Sequence, residues 1–208
     1  MTIDTTVQTS VADTDAERIS AVQLELIGNA LESICDEMGE ALIRTSYSPN
    51  VKERRDCTTG LFNAEGQFLA QAEHIPMHLG SLMGIVSAVM ERYPLDDIRD
   101  GDTFVGNDPH TGGGTHLPDI VLVTPIFVGD VIAGWATNLA HHSDYAERGH
   151  EHIFQEGVRI PPVRLLRDWS YERDVLDLIL VNMQVPAERL ADFVAEHGTA
   201  SARAPRRF

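Results

Sequence analysis

The run richest in metal-competent side chains is Gly106-Asn-Asp-Pro-His-Thr-Gly-Gly-Gly-Thr-His-Leu-Pro-Asp119, and eight of the nine histidines fall between His74 and His152. Imidazole nitrogen and carboxylate oxygen both donate to divalent cations, so this grouping supplies the material of a metal centre. His116 and Asp119 flank Leu117-Pro118, whose proline stiffens the loop that would carry two ligands. Further on, His141-His142-Ser143-Asp144 stands at the end of a strand expected to fold back on the one that follows Asp119. The two ends of a hairpin meet, so either His141 or His142 can join His116 and Asp119. Two nitrogens and one oxygen suit Mn, Fe or Zn better than Ca or Mg, and leave positions open for water or substrate. The competing reading has these side chains capping turns and bonding loop backbone, since no compact signature such as HExxH is present.

Other reactive-looking residues read more plainly. Gly112-Gly113-Gly114 lacks the GK[ST] ending of a P-loop and does not match GxGxxG, so it implies close backbone packing. Glu73-His74-Ile-Pro-Met-His78 offers a general base, but histidines beside a helix start are more often structural. Arg54-Arg55-Asp56 suits an anion or a surface ion pair. Cys57 falls in an expected strand with no histidine beside it in sequence, the setting of a buried structural thiol.

Elements that position these residues follow from periodicity. Leu24, Ile27, Leu31, Ile34, Met38 and Leu42 recur at spacings of three and four, with acids between them, which predicts an amphipathic helix over 18–44. Cys57–Phe62 and Gln67–Gln71 flank Asn63-Ala64-Glu65-Gly66 as a β-hairpin. A second helix opens at Gly80-Ser81, with Ser81 as N-cap, and stops near Arg92 before Pro94. A short strand, Thr103–Val105, precedes the glycine-rich loop. Ile120–Phe127 and Val131–Asn138, joined at Gly129-Asp130, form the clearest hairpin. Residues 142–172 carry no clear period and read as a long loop or a region of short elements. Helices are expected at Asp174–Met183 and Pro186–Glu196. The organisation is one α+β domain of mixed helices and antiparallel hairpins over 18–196, after a flexible N-terminus at 1–17 and before a basic segment, 197–208, that looks unrelated to the preceding fold.

Charge narrows the partners. Sixteen basic residues against 32 acidic give a net charge of −16, which repels phosphate backbones and anionic bilayers and argues against nucleic-acid or membrane partners. Lys52 is the only lysine, a bias that suits either a high-salt cytosol or an arginine-rich genome. Two cysteines without a CxxC give no disulfide framework, and residues 1–17 have no export pattern, so a cytoplasmic location is expected. The most apolar stretch, Ile120–Ala136, is broken by Pro125 and Gly129-Asp130 and is too short to span a bilayer.

Several blocks together carry a resemblance: Arg44-Thr-Ser-Tyr-Ser-Pro-Asn-Val-Lys-Glu-Arg-Arg-Asp56, Ala70-Gln-Ala-Glu-His-Ile-Pro-Met-His-Leu-Gly-Ser81, Asn107-Asp-Pro, Gly113-Gly-Thr-His-Leu-Pro-Asp119, Ala140-His-His142 and Gln155-Glu-Gly-Val-Arg-Ile-Pro-Pro162. In this order, over about 20–192, the chain resembles the hydantoinase B family, with its 5-oxoprolinase and acetone carboxylase relatives. The resemblance implies a hydantoinase A-type partner that uses ATP to phosphorylate a carbonyl oxygen, a hetero-oligomer, and a small cyclic amide as substrate. It also implies a divalent metal on His116, Asp119 and His141, while Asp108 or His142 is the candidate base. Ketone carboxylation and a catalytically silent, truncated fragment are the alternatives. Two departures stand out: Tyr145-Ala-Glu-Arg follows the His-His segment where small residues are common, and family chains continue well past this one.

Overall fold

The first apolar stripe becomes α1, Ala21–Thr45, opened by a reciprocal cap in which the Gln23 amide donates to Ser20 Oγ and the Ser20 amide donates to the Gln23 side chain. Its C-terminal half packs Leu31, Cys35 and Met38 on Leu61, Ala70 and Ala72, and Ile43 on Val51, Cys57 and Ala140. Its first turns leave Leu24 and Ile27 exposed. The computed structural model of the chain describes residues 19–72, 74–75, 78, 80–142 and 152–182.

A short helix that the periodicity did not reveal, α2, Pro49–Arg54, follows at once. Six residues are too few to display a repeat, but Pro49 is pre-set for a first helical position. Arg55 ends α2 in the left-handed region, φ 59°, and its guanidinium pairs with Glu40 of α1, while Asp56 faces His78 Nε2 at 3.4 Å. The Arg54-Arg55-Asp56 run therefore makes separate bonds to two different elements.

The strands are β1 (Cys57–Asn63), β2 (Phe68–Gln71), β3 (Thr103–Gly106), β4 (Asp119–Val128), β5 (Val131–His141), β6 (Val163–Arg167) and β7 (Ser170–Tyr171). They form one antiparallel sheet in the order β2-β1-β5-β4-β3-β6-β7. The chain is thus the mixed α+β fold expected from its patterning. On one side of the sheet Phe62, Phe104, Val121, Val123, Trp135 and Leu139 pack against Leu82, Ile85, Val86 and Val89. Those last residues belong to or precede α3, Ile85–Arg92.

The start of α3 corrects the expected Ser81 cap. Ser81 sits in the preceding turn, where its Oγ donates to the His78 carbonyl, and Gly84 precedes the helix without any side-chain cap. Gly112 explains the shift: a Cβ on Gly84 would lie 2.7 Å from the Gly112 Cα, so the glycine-rich loop presses directly on the helix entrance.

Within 142–172 the structure places β6, β7 and a three-residue 3-10 turn, Ile153–Gln155. The β6–β7 turn, Asp168-Trp169, has positive φ at both positions (47° and 64°) without glycine or asparagine. Its conformation is held from outside, as the Asp168 and Trp169 amides donate to Asp102 Oδ1 and the Gly101 carbonyl. The final described helix is α4, Arg173–Asn182, whose Leu176 and Ile179 pack with Val105, Ile120 and Leu165. The helix expected at 186–196, the tail at 197–208 and the N-terminus at 1–17 lie outside the described residues. Among the described residues no helix is long and apolar enough to cross a membrane.

Candidate metal centre

Strand register sets the site. Asp119, first in β4, is directly opposite His141, last in β5, so their side chains leave the same side of the sheet. The Asp119 amide also donates to the His116 carbonyl, a tight turn that brings His116 back beside the strand end. One donor atom from each of His116, Asp119 and His141 lies within 4.8 Å of the others, and the two imidazole centroids are 4.8 Å apart. These three residues converge at one end of the β4–β5 hairpin.

The glycines make this turn feasible. Gly114 has φ 76°, and a Cβ there would lie 2.7 Å from the Asp119 Cβ. A side chain at 114 would thus strain the backbone and push on the carboxylate.

Asp119 is fully buried, with its two oxygens in different situations. Oδ2 accepts from the Thr115 amide at 3.1 Å and the Thr115 hydroxyl at 2.6 Å. Oδ1 has no hydrogen-bond partner among the described residues and lies 3.6 Å from His116 Nε2. Burial raises the carboxyl pKa, but His116 and Thr115 outweigh it and hold it down at about 2. A buried, ionised oxygen without a donor is costly in a protein interior, and a divalent cation between it and the imidazoles would satisfy it. The donor set of two nitrogens and one oxygen matches such an ion.

His142 lies outside this triad. Its amide donates to the Pro118 carbonyl, which ties the end of β5 to the loop before β4. Burial, and then the neighbouring His141, lower its pKa to about 4 against an opposing pull from Asp119, so its ring is neutral near pH 7. Asp108 is committed elsewhere: Oδ2 accepts from Arg159 Nη2 at 2.8 Å, and Oδ1 accepts from the His110 amide. Burial raises its pKa, but Arg159 and the His110 amide carry it below the ordinary carboxylate value. The preceding residue, Asn107, bridges loops by donating to the Leu117 and Val158 carbonyls and accepting from the Ile160 amide.

Two further residues touch the triad without having been singled out in the sequence. Asn50 Nδ2 is 2.9 Å from His141 Nδ1, and Glu156 Oε2 is 3.8 Å from His116 Nδ1. Neither lies near the triad in sequence, and only their positions within the Arg44–Asp56 and Gln155–Pro162 blocks hinted at a role. His78, a candidate base, is buried against Asp56, while Ser143 and Asp144 lie outside the described residues.

The family described as Hydantoinase B/oxoprolinase matches residues 20–206. The chain belongs to this family. It is 37% identical over 185 residues to the uncharacterized protein MJ0963 of Methanocaldococcus jannaschii, covering 84% of this chain and 32% of that protein. It is 30% identical over 190 residues to the caprolactamase subunit beta of Pseudomonas jessenii, covering 88% of this chain and 32% of that subunit. The crystal structure of the ATP-dependent caprolactamase from Pseudomonas jessenii superimposes with a TM-score of 0.71 at 29% identity, over 89% of this chain and 33% of that one. The chain spans about a third of the length of each.

Proposed function

We propose that this chain is part of an ATP-dependent cyclic-amide hydrolase, acting with a hydantoinase A-type subunit to open a hydantoin, 5-oxoproline or a related lactam. The observation that carries this reading is the convergence of His116, Asp119 and His141 in a member of the hydantoinase B/oxoprolinase family. The names of its relatives, an ATP-dependent caprolactamase and a caprolactamase subunit, support both the substrate class and a hetero-oligomer.

An amide resists water because its nitrogen lone pair delocalises into the carbonyl. Transfer of the ATP γ-phosphoryl group to the carbonyl oxygen, with release of ADP by the partner, removes that resistance and leaves an electrophilic carbon. Water then adds to this carbon, the C–N bond breaks with its electrons moving to nitrogen, and nitrogen takes a proton. A second water releases phosphate from the resulting acyl phosphate. His116, Asp119 and His141 would hold a divalent Mn, Fe or Zn ion, which when bound would supply Lewis-acid polarisation. The neutral imidazole of His142 accepts the proton of the attacking water. Asp108, drawn to Arg159, holds the loop before the triad and is the poorer base of the two candidates.

Co-expression with a hydantoinase A-type subunit, followed by assay of hydantoin, 5-oxoproline and caprolactam with ATP, tests this reading. Ring opening coupled to ADP release, independent of bicarbonate and lost in His116→Ala and His142→Ala, is the expected result. Bicarbonate-dependent turnover, or ring opening that persists in His116→Ala, overturns it.

A further inference from the structure

One residue reaches the Asp119 carboxylate twice. The Thr115 amide donates to Oδ2 at 3.1 Å, and the Thr115 hydroxyl donates to the same oxygen at 2.6 Å, the short separation of a charge-assisted bond. The Asp119 amide in turn donates to the His116 carbonyl at 3.0 Å, so residues 115–119 close into a loop tied through both the backbone and the side chain of the acid. Gly114 precedes this loop at φ 76°, where an added Cβ would stand 2.7 Å from Asp119 Cβ and 3.6 Å from Oδ2, so the backbone runs directly against the acid. With Oδ2 engaged, the other oxygen is set apart. Oδ1 is buried without a hydrogen-bond partner among the described residues, and it is the oxygen that lies 3.6 Å from His116 Nε2. Two donors bonded to one zinc ion at about 2.0–2.1 Å in a tetrahedral arrangement stand about 3.3 Å apart, close to that separation.

We propose that Thr115 is a positioning residue of the metal centre: by holding Oδ2 with its amide and its hydroxyl, it presents Asp119 to a divalent cation through Oδ1 alone. This rests on the metal reading above. The terminal torsion of an aspartate is broad, so the side chain by itself fixes no plane for its carboxylate. A carboxylate free at both oxygens can take a cation through one of them or through both, as the carboxylates of calcium sites do. Two donors on Oδ2 fill the lone-pair positions of that oxygen and remove the second mode. The acid then occupies one coordination position instead of two and leaves the others to water or substrate. Any residue at 115 offers a backbone amide, so the part specific to threonine is the hydroxyl, which serine keeps and valine lacks. Thr115 acts only through Asp119.

Zinc and manganese affinity of the full chain, measured by competition with a chromophoric chelator, tests this in wild type, Thr115→Val, Thr115→Ala, Thr115→Ser and His116→Ala. Valine has the shape of threonine without the hydroxyl, and Thr115 is exposed, so the metal-free fold should survive the change; far-UV spectra in EDTA at the assay temperature check it. Loss of an outer-shell partner weakens metal affinity by roughly 10- to 100-fold, so Thr115→Val and Thr115→Ala should each fall in that range. Thr115→Ser, which restores the hydroxyl, should bind within a few-fold of wild type. A role confined to loop stability would lower Tm in EDTA and leave the affinity of the folded protein unchanged. Wild-type affinity in Thr115→Val, or an equal loss in Thr115→Val and Thr115→Ser, overturns the positioning role while leaving the metal reading intact. Equal affinity of wild type and His116→Ala overturns the metal reading, and the positioning role with it.

Discussion

Asp119→Asn probes the carboxylate on which the triad turns, and its effect can be worked out before metal is considered. The Asp119 pKa of about 2, against a reference of 3.8, is nearly two units low. At about 1.4 kcal/mol per unit, ionised Asp119 contributes roughly 2–3 kcal/mol to the metal-free fold. Because the folded-state value is depressed, this contribution is complete above pH 4 and disappears as the pH falls toward 2. Asparagine keeps the two Thr115 bonds in neutral form, and neutral bonds are about half as strong as charge-assisted ones, so the net loss should be about 1–2 kcal/mol. For a chain of this size that lowers Tm by roughly 2–8 °C in EDTA at pH 7. Added zinc or manganese at about 100 times Kd should stabilise wild type by a further ~2.7 kcal/mol and the variant far less. Thermal unfolding with and without EDTA, at pH 7 and pH 3, measures both effects. Equal Tm values in EDTA at pH 7 would refute the electrostatic argument, and equal metal-induced shifts would refute the role of Asp119 as a ligand.

Arg164, buried with Nε 3.3 Å from Asp102 Oδ2 and stacked on Tyr93 and Phe104, should cost roughly 3–5 kcal/mol in urea unfolding when changed to Met, with much of the loss recovered in Arg164→Met/Asp102→Asn. Burial, with help from Asp36 and Asp56, raises the Cys35 and Cys57 thiols to about 11. Their share of stability is present below pH 9 and is lost as pH rises through 11; a urea-midpoint titration of wild type against Cys35→Ala/Cys57→Ala should show a shallower alkaline decline in the double variant. The purified chain alone should hydrolyse no ATP in a phosphate-release assay, since its sequence holds no Walker-type loop.

Much of the fold was legible because its strongest elements announce themselves locally. The β4–β5 hairpin is a run of β-branched residues around Gly129-Asp130, and the alternation that marks it also fixes Asp119 opposite His141. Features dictated by distant contacts were not legible. The α3 entrance moved from Ser81 to Gly84 because Gly112 packs on it, and the Asp168-Trp169 turn takes a left-handed form because Gly101 and Asp102 hold its amides. In both places a tertiary contact replaces the local residue that a cap or tight turn ordinarily requires.

The same division runs through the site. His116, Asp119 and His141 could be gathered from sequence because one hairpin brings its two ends together, a consequence of strand pairing alone. Their surroundings include Asn50 and Glu156, which lie 2.9 Å from Nδ1 of His141 and 3.8 Å from Nδ1 of His116 and come from segments before the first strand and after the last strand of that hairpin. An asparagine on a six-residue helix has no periodicity to betray it, and a glutamate beside a glycine looks like any surface acid. The candidate ligands are thus encoded locally, while what surrounds their rings is set by the packing of α2 and the 152–162 segment against the hairpin end.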